Sequence, residues 1–319
     1  MAEVNPADLR DLPSRYQSSR GLNDVLIGED TALPLINTSS TGDITTLRGM
    51  LEQSPEIALE SPHRIYHEYR PAKDKNDVRG VLAMKRSNLH QAILRAAENG
   101  YATAVSILLD FASRNGVRLS SVIDRVTIKR TIETGHAAVF EVLAMADPTV
   151  ATHNDFQGRL PLDLAIASHE IEVARVILQH GGGREFAKPL HGSTYPNSRL
   201  CKATRSTEKT MTELLIQHGY AVRGSGALQM AADRGALDTI RLLVEEHGAD
   251  VNERLPAETL PRVDNALFAS WTPMHFAARW GKEEAMKLLE SYGAKTDVLD
   301  VNGKTPSRLL EERKERSKT

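Results

Sequence analysis

One phrase of residues returns along this chain at a nearly regular interval. Residues 226–235 read Gly-Ala-Leu-Gln-Met-Ala-Ala-Asp-Arg-Gly, and residues 271–281 read Trp-Thr-Pro-Met-His-Phe-Ala-Ala-Arg-Trp-Gly. In both places apolar residues follow at the spacing of one helix face, and a Gly-Ala pair comes after them, at 248–249 and 293–294. A phrase that recurs in this way indicates a chain of stacked repeats.

The position of Pro273 marks the register of each repeat. The equivalent positions are Pro34, Ala92, Thr127, Pro161, Arg199, Ala227, Pro273 and Pro306. Most of these marks lie about 33 residues apart. The two wider intervals, which end at 92 and 273, each leave room for one repeat and an insertion, and these insertions are expected at about 60–85 and 253–265.

The residue types of the phrase predict a pair of helices in each repeat. Proline suits the first helical position, where its missing N–H would have no partner within the helix. Two adjacent alanines let neighbouring helices approach closely, because larger side chains would push them apart. The first glycine supplies a left-handed cap to the first helix, and the second glycine ends the second helix.

Together these residues resemble the ankyrin repeat, from about residue 28 to residue 313. The units at 226–252 and 271–294 match best, and 199–219 matches least. The resemblance implies an all-α repeat fold, an ankyrin-like solenoid of about seven to eight helix–turn–helix repeats with hairpin loops and the two insertions. It further implies a single ankyrin-repeat domain at 28–319, whose last repeat, at 300–319, is truncated. Residues 1–27 contain few apolar positions and are expected to form an N-terminal arm or cap.

Composition excludes several classes of function. The 40 basic and 42 acidic residues give a net charge of −2, whereas a nucleic-acid or anionic-membrane surface needs a clustered basic excess. The charged run at 311–316 is typical of a solvated helix end. No stretch approaches the roughly 18 apolar residues of a membrane span, and the N-terminus lacks a signal-peptide pattern. We therefore expect no nucleic-acid or membrane partner and a cytoplasmic or nuclear location. We also expect the chain to be monomeric on its own.

The single cysteine, Cys201, excludes an internal disulfide and suits a reducing compartment. Its register near the start of a first helix predicts a small apolar core residue rather than a nucleophile. His63 and His67 are four residues apart and could share a helix face, but the sequence places no third metal ligand beside them. The insertion at 60–85 is therefore predicted to be an ordered loop with a charged tip, and we expect neither a metal nor a cofactor.

In ankyrin-like proteins, partners usually contact the hairpin tips and the exposed end of each first helix. The resemblance carries this role to Phe268 and Trp271 at a hairpin, to Arg279 and Trp280 at the end of the same helix, and to Asp233 and Arg234 in the neighbouring repeat. Both tryptophans of the chain fall on slots expected to be exposed, and tryptophan and arginine are enriched in binding hot spots. Alternatively, either tryptophan packs against the insertion at 253–265.

The three aromatic side chains cannot supply a whole interface. Burial of about 300 Å² of apolar area contributes roughly 7 kcal/mol, whereas association costs an estimated 4–15 kcal/mol. We therefore expect equivalent slots of earlier repeats to contribute, namely Glu98, Asn99, Glu133, Thr134, Phe156 and Arg159. The histidine of the Thr-Pro-x-His phrase, His275, is instead predicted to hold its turn together by hydrogen bonds.

The leading functional hypothesis is a non-catalytic scaffold or adaptor that binds a protein partner through its concave face and hairpin tips, because the sequence contains no recognisable catalytic constellation. The alternative is a solenoid that binds or processes a small molecule in a pocket formed by segments 60–85 and 184–198. Its candidate residues are His63, Tyr66, His67, His191 and Tyr195. A third hypothesis is a recruiting component whose effector is a separate chain.

Overall fold

The computed structural model describes residues 24–25, 33–60, 65–69, 81–84, 87–152, 159–183, 199–255 and 265–317. The chain divides into two compact units. The N-terminal unit runs to Leu164 and includes Gln179–Gly182, and the C-terminal unit comprises Ala165–Leu178 and the residues from Gly183 onward.

The N-terminal unit is built from two rows of helices. Its helices are α1 (Leu33–Thr41), α2 (Ile44–Gln53), α3 (Pro55–Leu59), α4 (Asn88–Glu98), α5 (Ala102–Arg114), α6 (Arg125–Glu133) and α7 (Ala137–Ala146). Helices α1, α4 and α6 pack side by side as the inner row, and α2, α5 and α7 form the outer row. Asp43, Ser87 and Asp124 cap α2, α4 and α6 by accepting hydrogen bonds from backbone N–H groups of the first turn.

A small antiparallel sheet accompanies these helices. Its strands are β1 (Asp24–Val25), β2 (Ile65–Tyr69) and β3 (Val81–Met84), in the order β1-β2-β3. Strands β2 and β3 pair from Tyr66 opposite Met84 to Tyr69 opposite Val81. Both strands lie in the first insertion, so the backbone there forms a strand pair where the sequence predicts a loop.

The C-terminal unit repeats the two-row arrangement. Helix α8 (Pro161–Ser168) and helix α9 (Ile171–Gln179) contain the boundary between the units. The helices that follow are α10 (Arg199–Ala203), α11 (Thr210–Gln217), α12 (Ala227–Arg234), α13 (Leu237–Arg241), α14 (Asn265–Ser270), α15 (Pro273–Arg279), α16 (Glu283–Ser291) and α17 (Pro306–Arg316). Inner helices α10, α12, α15 and α17 pack in sequence, and α13 packs against α16 in the outer row. One π-helical turn, Leu242–Glu246, extends α13.

The predicted helical repeat is confirmed. Within the described ranges the helices follow one another as seven pairs, from α1–α2 to α15–α16, and α17 opens an eighth repeat without a described second helix. The predicted alanine pairs are fully buried in the inner helices at 96–97, 231–232 and 277–278. Their small volume is what permits the inner helices to lie against each other.

The glycine after an inner helix makes room for a side chain of the next repeat. Gly100 and Gly281 have φ angles of 81° and 67°, in the left-handed region that favours glycine. A Cβ atom added to Gly100 would lie 2.8 Å from the ring of His136, and one added to Gly281 would lie 3.1 Å from Nε of Arg313. The turn therefore needs glycine both for its backbone angle and for this close approach.

His275 holds its turn as predicted. The side chain is fully buried, and its Nδ1 accepts a hydrogen bond from the backbone N–H of Thr272 at 3.2 Å. Because Nδ1 accepts, the ring proton lies on Nε2, 3.4 Å from the carbonyl oxygen of Lys304. Burial lowers the pKa of this imidazole below its usual value, and the Lys304 carbonyl only partly opposes that effect.

Cys201 lies in the core, as the sequence predicts. Its side chain is buried on α10, and burial raises the pKa of the thiol to about 12. A thiol that stays protonated at neutral pH is a poor nucleophile. The structural role of this cysteine is therefore confirmed.

Replacement of Gly100 by alanine is expected to destabilise the N-terminal unit more than replacement of Gly116. Gly116 has a similar φ of 70° but nothing within 4 Å of an added Cβ. Gly116→Ala should therefore cost only the backbone strain, about 1 kcal/mol, and Gly100→Ala should cost that strain plus the displacement of His136. Urea unfolding of both variants measures the difference. Equal losses of stability would show that the contact with His136 is unimportant.

The stability of the C-terminal unit should fall as the pH drops below about 6.5, the pKa of an unperturbed histidine. The pKa of His275 is lowered in the folded state, so the unfolded chain binds a proton first and acid favours unfolding. Thermal melts from neutral to mildly acidic pH measure this effect. His275→Gln should reduce the pH dependence, whereas His247→Gln, at an exposed position, should leave it unchanged. An identical pH dependence in all three proteins would exclude His275 as its source.

Candidate interaction site

Two of the predicted contact residues belong to an aromatic core. Phe268 on α14 and Trp271 beyond it are only 9% and 5% exposed, so the prediction that they occupy exposed slots is wrong. Their rings meet edge to face, with centroids 5.1 Å apart, and Trp271 meets the buried Phe276 in the same way at 5.2 Å. Helix α14 precedes the hairpin position, and its Phe268 packs against Trp271 and Phe276.

The indole N–H of Trp271 ties this core to the segment between α16 and α17. It donates to a carboxylate oxygen of Asp300 at 3.2 Å. The other oxygen of Asp300 accepts from the backbone N–H groups of Asn302 at 2.8 Å and Lys304 at 2.9 Å. Trp271 therefore stabilises the turn that leads into α17. The alternative packing partner, the insertion at 253–265, lies outside the described residues at 256–264.

Arg279 extends from this core towards the surface. Its guanidinium carbon lies 5.3 Å from the ring centre of Phe268, 5.8 Å from that of Trp271 and 5.4 Å from that of Trp280. Cation–π contacts at these distances are favourable and hold the side chain in place. Among the described residues, no carboxylate lies within ion-pair distance of Arg279.

Trp280 is exposed, as predicted. Its side chain is 44% accessible at the C-terminal cap of α15. The guanidinium of Arg313 lies 5.4 Å from its ring centre, and Nη1 of Arg313 donates to the carbonyl oxygen of Arg279 at 3.4 Å. An exposed indole therefore lies next to two guanidinium groups from two different helices.

A groove of about 470 Å³ opens beside this group of residues. Arg279 and Arg313 line it together with the half-buried Leu267 and Leu309. Further along its wall, Lys304 pairs with Glu312 at 2.7 Å, and the hydrogen bond from Lys304 lowers the pKa of that carboxyl group.

In the neighbouring repeat, the two predicted contact residues differ in their exposure to solvent. Asp233 on α12 is 5% exposed, so its predicted place on the surface is wrong. Its side chain packs inside the repeat, near enough to Cys201 to contribute to the raised pKa of the thiol. Arg234, the last residue of α12, is exposed, as its slot predicts.

The predicted residues of the N-terminal unit form a polar surface. Glu98 pairs with Arg95 at 2.9 Å and with Arg130 at 3.5 Å, and Arg130 also lies 3.7 Å from Glu133. The side chains of Asn99 and Thr134 donate to backbone carbonyl groups of their own helices. Arg159 is half-buried, and Phe156 lies outside the described residues.

Arg313 contributes to the site around Trp280, and the sequence analysis did not identify it. It belongs to the charged run at 311–316, a pattern typical of a solvated helix end. Its position one repeat beyond Gly281 was the available signal, because a side chain of the following repeat covers the glycine at each of the equivalent turns at 42, 100 and 235.

The small-molecule hypothesis depends on residues for which the structure gives no side chains. His63, His191 and Tyr195 lie outside the described residues, and Tyr66 and His67 are described only as part of the β2 backbone. Elsewhere, across the described ranges, no three histidine, cysteine, aspartate or glutamate side chains gather as a metal site would require. None of the described helices is long and apolar enough to cross a membrane.

Comparison with known proteins locates the family in the C-terminal unit. The model of the family "Ankyrin repeats (many copies)" matches residues 228–290. Protein phosphatase 1 regulatory subunit 12A of Mus musculus is 31% identical over 93 residues, which is 29% of this chain and 8% of that protein. Protein phosphatase 1 regulatory subunit 27 of Homo sapiens is 34% identical over 88 residues, 28% of this chain and 49% of the relative.

The chain thus spans less than half the length of either curated relative. Among solved structures, the ankyrin repeat domain of Bcl-3 aligns with 71% of this chain and 97% of its own length, at 19% identity and a TM-score of 0.49. The helix pairs, their buried alanines and the family match at residues 228–290 agree in register. Residues 228–290 of this chain therefore match the ankyrin-repeat family.

Proposed function

We propose that this chain is a non-catalytic adaptor that binds a partner protein, with Trp280 at the centre of one contact surface. The exposed indole beside Arg279 and Arg313 is the observation that carries the proposal. Tryptophan and arginine are enriched among the hot spots of protein interfaces, because they combine a large contact area with a polar or charged group. The ankyrin-repeat family supports the same class of function.

The buried aromatic residues have a supporting part in this proposal. Phe268 and Trp271 hold Arg279 in position and do not themselves meet the partner. A side chain that is already fixed loses little conformational entropy on binding, so more of the contact energy contributes to affinity. Trp271→Ala would remove a buried ring, which typically costs about 3–5 kcal/mol of folding stability, and is therefore a poor test of binding.

Polar residues would complete the contacts in each unit. In the C-terminal unit the exposed Arg234 extends the surface beyond Trp280. In the N-terminal unit we propose a second contact area, made of Glu98, Asn99, Glu133, Thr134 and Arg159, with Phe156 as its aromatic member. Interfaces commonly surround an aromatic centre with such a polar rim.

The relatives suggest the partner to test first. Two of them are named regulatory subunits of protein phosphatase 1. We therefore propose protein phosphatase 1 as the first candidate.

Trp280→Ala is expected to weaken partner binding by at least tenfold, because it removes the exposed ring and frees both neighbouring guanidinium groups. Wild type and variant are used to capture proteins from a lysate of the source cells, and affinity for purified protein phosphatase 1 is measured in parallel. Met145→Ala is the matched control, because Met145 is 71% exposed and lies in the N-terminal unit.

Circular dichroism confirms that each variant is folded before binding is compared. Proteins captured by wild type and by Met145→Ala but lost with Trp280→Ala support the proposal. If Trp280→Ala captures the same proteins with undiminished affinity, the proposed contact surface is incorrect.

A further inference from the structure

Among the described residues, Arg279 and Arg313 beside Trp280 have no carboxylate partner, whereas neighbouring basic side chains are paired. Arg308 lies 3.2 Å from Glu311, Lys314 lies 2.7 Å from Glu283, and Lys304 pairs with Glu312. In the part of the chain that the structure describes, neither Arg279 nor Arg313 has a carboxylate oxygen within 4.0 Å. The carboxylate of Asp300, which lines the same groove, already accepts from Trp271 and two backbone N–H groups.

Both guanidinium groups border the ring of Trp280. Each lies 5.4 Å from the centre of the Trp280 ring, so they are separated by no more than twice that distance. Three aromatic rings surround Arg279, while Arg313 reaches the carbonyl oxygen of Arg279 across Gly281. The two like charges repel each other, and an anion placed between them would relieve this repulsion.

The guanidinium groups retain donors for such an anion. A cation–π contact engages the charge of a guanidinium without consuming its N–H groups. Among the described contacts, the guanidinium of Arg279 donates no hydrogen bond and that of Arg313 donates one, to the carbonyl oxygen of Arg279. The forked donors of arginine match the two oxygens of a carboxylate, and such paired hydrogen bonds are short and strong.

The apolar wall of the groove predicts which kind of group lies next to the negative charge of a ligand. Leu267 and Leu309 form part of its wall beside Arg279 and Arg313. A ligand that fills the groove therefore combines a negative charge with an apolar neighbour. A short stretch of protein with an acidic side chain next to an apolar one has this combination, and its size suits a groove of about 470 Å³.

We infer that Arg279 and Arg313 bind a carboxylate side chain from an acidic segment of a partner protein, with an apolar residue of that segment in the adjoining groove. This inference rests on the proposed adaptor function and specifies the chemistry of the partner.

The test measures binding of fluorescent peptide pools to the full chain by anisotropy. The pools share a random mixture of glycine and apolar residues and differ only in two central positions, which are both glutamate, glutamine, lysine or phosphoserine. The glutamate pool should bind at least tenfold more tightly than the glutamine and lysine pools, and its affinity should fall as salt is added. Equal binding of the glutamate and glutamine pools would overturn the inference, and tenfold tighter binding of phosphoserine would replace it with a phosphate site.

Variants then locate the binding site of the glutamate pool. Arg313→Gln and Arg279→Gln should each reduce its affinity by about tenfold, since each removes one guanidinium group. Arg308→Gln is the matched control on the same helix, because Arg308 already pairs with Glu311, and it should change affinity less than twofold. Arg313 is exposed, so its variant reports on binding even if Arg279→Gln unfolds. Undiminished binding by Arg313→Gln would overturn the inference.

The two proposals fail in different ways. A partner that requires Trp280 but is not displaced by the glutamate pool would leave the adaptor function intact and exclude the acidic segment. A glutamate pool that binds at Arg313, with a captured partner list that does not depend on Trp280, would instead retain the anion site and contradict the adaptor surface.

Discussion

Close approach of the inner helices is the constraint on which the rest of this structure depends. The helices can meet because alanine pairs, fully buried at 96–97, 231–232 and 277–278, present almost no side-chain volume to their neighbours. The chain must then reverse within a short turn, and the left-handed glycine provides that turn. Because the repeats lie so near, a side chain from the next repeat occupies the position above the glycine at turns 42, 100, 235 and 281, such as His136 above Gly100.

The same rule explains how the interaction site is assembled. At the turn of Gly281 the overlying side chain is Arg313, supplied by the helix that opens the last described repeat. The turn also presents Trp280, the residue directly before the glycine, to solvent. The same packing geometry stabilises the other turns. At this turn it also places the guanidinium of Arg313 beside the exposed indole of Trp280. Asp300 and Trp271 fix the segment that leads into α17 and so determine where Arg313 lies.

Structural features that depend on the spacing within a repeat could be predicted from the sequence. Features that depend on residues outside the repeat could not. Helix pairs, buried alanines, the turn held by His275 and the core position of Cys201 follow from the phrase itself, as does the exposure of Trp280. The surface position predicted for Phe268 and Trp271 is wrong, because both rings pack into an aromatic core that includes α14, a helix outside the repeat. No periodic signal predicts this additional helix, and the strand pair in the first insertion lies equally outside the repeat.

His169 shows that the turn after an inner helix keeps its left-handed conformation even where the sequence has no glycine. It occupies the turn after α8 with a φ of 61°, where other repeats use glycine, and among described residues it is the non-glycine with such an angle. A side chain in this region costs of order 1 kcal/mol or more, which the surrounding repeat must offset. His169 lies 3.1 Å from Glu208, but an exposed pair contributes little. The backbone therefore adopts the left-handed turn because the stacking of neighbouring helices requires it, and glycine is the residue that meets this requirement at least cost.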